Sequence, residues 1–182
     1  MTWPRLDEVG FAVQNGATWY ATNTDSTRPT DRGLVPGAGA AIAAVRSTVN
    51  HDPIVVGKPH RPLLEEAVRR TGAENPIFVG DRIDTDIQGA RRVGMDAFMV
   101  FTGAHGKRDL LLAPEDGRPT AIGWNVPALL DPPRVAQVRD NKVVCRRAAV
   151  VVRRGRAEIE GPLETREQQL DALWALAQAV WA

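Results

Sequence analysis

One stretch limits the fold more than any other. Pro76 to Gly89 reads Pro-Ile-Phe-Val-Gly-Asp-Arg-Ile-Asp-Thr-Asp-Ile-Gln-Gly. Ile77, Phe78 and Val79 form a short β-branched and aromatic run, the pattern of a strand buried on both faces of a parallel sheet. Gly80 allows a sharp turn at the strand end. Asp81 then sits where open α/β sheets bind ligands, at the carboxyl end of a strand. A helix can start at Thr85 or Asp86 with one of these side chains as its cap. Asp81 and Asp86 flank that turn and suit a hard cation such as Mg²⁺, which takes oxygen ligands beside a phosphate. The same two residues also fit a structural role, Asp81 turning the chain and Asp86 capping the helix.

A second turn has the same logic. Ile54 to Val56 predicts a short strand, and Gly57-Lys58-Pro59 follows it. A lysine between Gly and Pro is fixed in direction, so it can hold a phosphate or offset clustered carboxylates. A helix over Pro62 to Thr71 leads to the stretch above. A helix over Asp86 to Val93 and a strand over Ala97 to Phe101 complete a βαβ unit. Before this, the pattern predicts a helix from Pro4 to Gln14, a strand from Ala17 to Thr22, a long polar loop from Asn23 to Gly37 and a helix from Ala38 to Val49. After it come a possible strand at Ala121–Trp124, a short helix at Val126–Leu130 and a linker at Asp131-Pro132-Pro133.

From Arg134 the character changes. Val135–Val138, Val143–Cys145, Ala148–Val152 and Ala157–Ile159 read as short antiparallel strands, with turns at Asp140-Asn141 and Arg154-Gly155. Thr165 to Trp181 reads as an amphipathic helix whose Thr165 and Gln168 resemble a capping box. Arg134 to Arg156 holds eight basic residues against one acid. No aromatic residues interleave them, which disfavours a nucleic-acid partner and favours a solvated sheet face. Strands so rich in arginine are expected to bury poorly.

The 182 residues are 43% hydrophobic and 25% charged with a formal charge of +1, which fits a soluble globular protein and gives no global pull to nucleic acid or anionic membrane. The one cysteine, Cys145, excludes an internal disulfide framework, reads as packing and fits a reducing cytoplasm. No apolar run approaches the ~20 residues of a membrane helix, and the first residues lack a signal-peptide pattern. The expectation is a cytoplasmic protein with no membrane partner. His51, His60 and His105 show no metal-ligand spacing.

Taken in order, Gly57-Lys58-Pro59, then Val79-Gly80-Asp81-Arg82-Ile83-Asp84-Thr85-Asp86-Ile87 and Gly89-Ala90, resemble the third and fourth motifs of the haloacid-dehalogenase superfamily. They look most like the branch of NagD-like, 4-nitrophenyl and phosphoglycolate phosphatases. Ala21-Thr22-Asn23-Thr24-Asp25, Pro29 and Gly33 to Gly39 match the end of that branch's α/β cap. The resemblance covers about Thr18 to Gly103 and, loosely, the chain to Pro133. It implies a Mg²⁺-dependent phosphomonoester phosphatase acting on a small phosphorylated metabolite. Asp81 would be a metal ligand. Asp86 would orient Lys58 and metal-bound water, Lys58 would hold the phosphate, and Asn23 and Asp25 would lie near the leaving group. Arg82 is expected to make a structural ion pair.

The departure is as informative as the match. That family attacks phosphorus with an aspartate of an early Asp-x-Asp-x-Thr motif and binds phosphate with a later Ser or Thr. Neither has a copy here, because Asp84-Thr85-Asp86 already belongs to the fourth motif. The expected fold is therefore α/β, the C-terminal half of a Rossmann-like core with parallel strands and flanking helices. The end of an α/β cap precedes it (residues 1–36), the half core spans 37–133, and a small α+β tail spans 134–182. A covalent transfer needs its nucleophile, and one carboxylate makes a poor Mg²⁺ site. The expectation is a truncated, inactive chain with weak or absent Mg²⁺ binding, which associates with itself or with a separate N-terminal half. The alternative is a non-catalytic anion-binding or assembly protein.

Overall fold

Helix α1, Trp3–Gln14, begins with Pro4 in its first turn, where the missing N–H costs nothing, and stops at Asn15 and Gly16, the latter at φ +91°. Strand β1 (Tyr20–Ala21) follows, then β2 (Thr27–Thr30), β3 (Gly33–Pro36), α2 (Ala38–Arg46), β4 (Ile54–Val55) and α3 (Arg61–Thr71). The computed structural model describes residues 2–182 and divides into two units, Met1–Arg70 and Thr71–Ala182. In the first unit α1 and α2 close over Val13, Trp19 and Val45, with Leu6, Ile42 and Val49 packed against them. Strands β1 and β4 pair in parallel, Tyr20 beside Ile54 and Ala21 beside Val55.

Two expectations fail here. The strand expected over Ala17–Thr22 is only two residues long. The expected loop from Asn23 to Gly37 contains the antiparallel hairpin β2–β3. Pro29 disguises it, yet a two-stranded ribbon tolerates a proline because each strand is an edge. Thr30 Oγ1 closes the turn by donating to the Gly33 carbonyl at 2.7 Å.

The second unit is built on a three-stranded parallel sheet, β5 (Ile77–Gly80), β6 (Asp96–Val100) and β7 (Ala121–Gly123), in that spatial order. Strand β6 is central, and Ala97, Phe98, Met99 and Val100 are buried. Strand β5 is not buried on both faces as its sequence suggests. It is the edge strand, pairing with β6, and Ile77 is 44% exposed. After β5 the chain makes one wide helical turn, Ile83–Ile87, and runs into α4, Gln88–Arg92. A short helix that the sequence did not reveal, α5 (Lys107–Leu111), anchors itself through fully buried Leu110.

The last part is an antiparallel sheet of β8 (Ala136–Arg139), β9 (Lys142–Cys145), β10 (Ala148–Arg153) and β11 (Arg156–Glu160), followed by α6 (Arg166–Trp181). Asp140 and Arg154 lie at the predicted turns with positive φ, and Arg146 makes a third. The capping box forms: the Thr165 hydroxyl accepts from the Gln168 N–H and the Gln168 side chain accepts from the Thr165 N–H. Helix α6 packs on β9 and β10 and also on α5 and β7.

Strands β8 and β11 are largely exposed and the arginines on the strands face solvent, as expected, and several of the basic groups are paired. Arg134, 6% exposed, donates from Nε to Asp171 at 3.0 Å and also pairs with Glu167. Arg146 reaches Asp171 at 3.4 Å and the Pro132 carbonyl at 2.8 Å, and Lys142 meets Glu160 at 2.6 Å. Burial raises the Asp171 carboxyl pKa, and the two arginines oppose that shift without overcoming it. Cys145 is fully buried, and burial pushes its thiol up to about 11, which fits a packing role.

Candidate active site

Strand β5 delivers Asp81 at its carboxyl end, and Asp86 turns back towards it. Asp86 is 4% exposed, and its Oδ2 accepts the backbone N–H groups of Asp81 and Arg82 at 3.2 Å each. Two donors on one oxygen offset the cost of burying a carboxylate. Asp86 is thus inside the helical turn and reaches backwards, rather than capping a helix that starts at its own position. Gly80 is required by this contact, because a Cβ there would lie 2.3 Å from the Asp86 Cβ. Arg82 pairs with Asp84 at 2.7 Å on the surface, the structural ion pair its position suggests.

The loop after β6 closes the other side of the turn. Ala104 N–H donates to Asp81 Oδ2 at 2.6 Å, and His105 N–H donates to the Asp81 carbonyl at 3.1 Å. Ile83 N–H donates to His105 Nδ1 at 2.8 Å. A Cβ on Gly103 would stand 2.0 Å from Asp81 Oδ2, so the loop approaches as closely as a glycine permits. Sequence reasoning passed over this segment. The one local signal in the sequence is a histidine bracketed by Gly103 and Gly106.

Lys58, Asn23 and Asp25 belong to the first unit, and Asp81 and Asp86 to the second. Because β1 and β4 run parallel in register, the chain leaving Ala21 and the chain leaving Val55 emerge at the same carboxyl edge. Gly57 sits against the Thr22 carbonyl, where a Cβ would be 1.6 Å from the oxygen. Gly37 and Gly39 also approach the carbonyls of Asp25 and Thr24 closely, each at 2.3 Å from the Cβ position. Asn23 Oδ1 accepts the Asp25 N–H at 3.1 Å, an Asx turn that fixes the segment. Lys58 is half-buried in the turn after β4, where the His60 N–H bonds the Gly57 carbonyl at 3.0 Å.

The donor chemistry of the acidic turn fits a hard cation. One Asp81 oxygen is bound by the Ala104 amide and the other can be offered to an ion, and Mg²⁺ keeps waters and substrate oxygens around one or two carboxylates. Among the described residues no group of three or more His, Cys, Asp or Glu side chains clusters as a metal site. No helix among them is long and apolar enough to cross a membrane.

Residues 55–129, which carry both turns, match the HAD-hydrolase-like family model. Over that stretch the chain is similar to the haloacid-dehalogenase-like hydrolases. It is 44% identical over 127 residues to the D-glycerol 3-phosphate phosphatase of Mycobacterium tuberculosis, an alignment covering 70% of this chain and 36% of that protein. It is 37% identical over 95 residues to the 5'-nucleotidase YutF of Bacillus subtilis, covering 51% and 37%. The magnesium complex of the glycerol phosphate phosphatase Rv1692 from Mycobacterium tuberculosis superposes with a TM-score of 0.83 at 35% identity, over 100% of this chain and 53% of that one. The chain therefore spans about a third to a half of the length of these relatives. The parallel strands and flanking helices are those of the haloacid-dehalogenase-fold phosphatase on which the chain superposes.

Proposed function

We propose that this chain supplies the cation-binding and phosphate-binding elements of a Mg²⁺-dependent phosphomonoester phosphatase of the NagD type. Asp81 would hold the cation, and Asp86 would fix the turn that presents Asp81. Lys58 would hold the phosphate, and Asn23 and Asp25 would face the leaving group of a small phosphorylated metabolite. The bound cation would polarise a phosphoryl oxygen and offset its charge.

The observation that carries the reading is the acidic turn itself. A buried Asp86 bonded to two backbone N–H groups, with Asp81 held at the end of a parallel strand, is more than a chain reversal requires. The matching phosphatases support the same role. The 182 residues contain no Asp-x-Asp-x-Thr, so the attacking carboxylate would come from another polypeptide segment.

The test is turnover of p-nitrophenyl phosphate with Mg²⁺, by the chain alone and mixed with the N-terminal portion of the Mycobacterium tuberculosis relative. The expected outcome is no turnover alone and Mg²⁺-dependent turnover in the mixture, lost with Asp81→Asn. Turnover by the chain alone that survives Asp81→Asn would overturn the proposal.

A further inference from the structure

We propose that His105 is a positioning residue for the acidic turn, holding Ile83 and Asp81 in the orientation a divalent cation would use. The inference rests on the cation role proposed for Asp81. Three bonds tie the segment Gly103–His105 to the turn. Ile83 N–H donates to His105 Nδ1 at 2.8 Å, Ala104 N–H donates to the Asp81 carboxylate at 2.6 Å, and His105 N–H donates to the Asp81 carbonyl at 3.1 Å. Asp81 and Ile83, at the start of the turn, are thus both pinned to one short piece of chain.

Of these three bonds, only the one to Ile83 is made by a side chain of that segment. The bonds from Asp86 to the Asp81 and Arg82 amides, at 3.2 Å each, lie at the long end of the normal range. The 2.8 Å bond to the imidazole is the shorter restraint on the same turn. A neutral imidazole that accepts at Nδ1 carries its proton on Nε2. Ile83 is 5% exposed, so its amide cannot readily exchange the imidazole for water. Without that acceptor the turn must move to satisfy the amide, and Asp81 moves with it. Groups that orient a metal ligand in this way typically change metal affinity by about 10–100-fold when removed.

Two variants separate the possibilities. His105→Phe keeps a planar ring and removes the acceptor. His105→Asn places an amide oxygen close to the position of Nδ1 and keeps an acceptor. In the full chain without metal, amide hydrogen exchange at Asp81, Arg82 and Ile83 should quicken by about 10-fold or more in His105→Phe and return towards the parent rate in His105→Asn. Mn²⁺ affinity, followed by line broadening at the same residues, should fall by about 10-fold in His105→Phe and recover in His105→Asn. Exchange that quickens at Ile83 alone, or equally in both variants, overturns the role of His105. Mn²⁺ that fails to broaden the turn in the parent chain counts against the cation role of Asp81. The exchange rates still decide the role of His105.

Discussion

Asp86 Oδ2 accepts the backbone N–H of Asp81 at 3.2 Å, so the carboxylate five residues downstream fixes the peptide that carries the candidate cation ligand. Asp86 thereby fixes the start of the turn, and Asp81, with one oxygen on the Ala104 amide, is the acid proposed to face a cation.

Two glycines define the space around those acids. Gly80→Ala would drive a methyl group into the Asp86 stem, and Gly103→Ala would drive one into the Asp81 carboxylate. Overpacking of this kind costs about 1–3 kcal/mol. Thermal melts should show Gly80→Ala clearly destabilised. Gly103→Ala should lower Mn²⁺ affinity more than it lowers the melting temperature, because its contact is with the presented carboxylate. Equal melting temperatures for Gly80→Ala and the parent would show that the turn is looser than these distances imply.

The buried cluster under α6 makes a second prediction. Asp171→Ala leaves Arg134 buried with Glu167 as its remaining acidic partner, and breaking a buried pair costs about 3–5 kcal/mol. Denaturant unfolding should register that loss. The double replacement Arg134→Met with Asp171→Leu should recover most of it, since an apolar pair of similar volume avoids the uncompensated charge.

Cys145 sets a pH dependence whose sign follows from its burial. Its folded thiol lies at about 11, above the ordinary value of 9.0. The neutral thiol is favoured by the fold, so this contribution to stability is complete below pH 9 and is lost as pH rises through 9 to 11. At pH 8 a thiol reagent should modify native protein about 100-fold more slowly than unfolded protein, through the smaller thiolate fraction alone. Rapid native labelling would contradict the burial of this residue.

Much of the second unit was legible in the sequence. Alternation and turn residues gave four short strands from Val135 onwards, and Thr165 with Gln168 gave the cap of α6. The Gly-Asp and Gly-Lys-Pro turns were visible because strand, glycine and charged residue lie next to one another in the chain. What was hidden depended on partners far away. Ile77 to Val79 reads as doubly buried, but only pairing decides which strand is central, and β6 holds that place. The β2–β3 hairpin was masked by Pro29. The His105 contact spans 22 residues, and no local pattern announces it. The pairing of Arg134 and Arg146 with Asp171 was equally invisible, because it joins residues 37 and 25 positions apart.

Strand β5 supplies a prediction about association. It forms one edge of its sheet and exposes Ile77 by 44%. An apolar edge strand is a template for pairing. Sedimentation at micromolar concentration should show self-association that Ile77→Lys reduces. A monomer that Ile77→Lys leaves unchanged would mean that this edge is not a contact surface.

The claim that Asp81 is presented to a divalent cation is tested most directly by titrating Mn²⁺ into the full chain and mapping paramagnetic broadening of the backbone amides. Broadening should centre on Asp81 to Asp86 and on Gly103 to His105, and Asp81→Asn should abolish it. Broadening centred elsewhere, or unchanged by Asp81→Asn, would contradict the assignment.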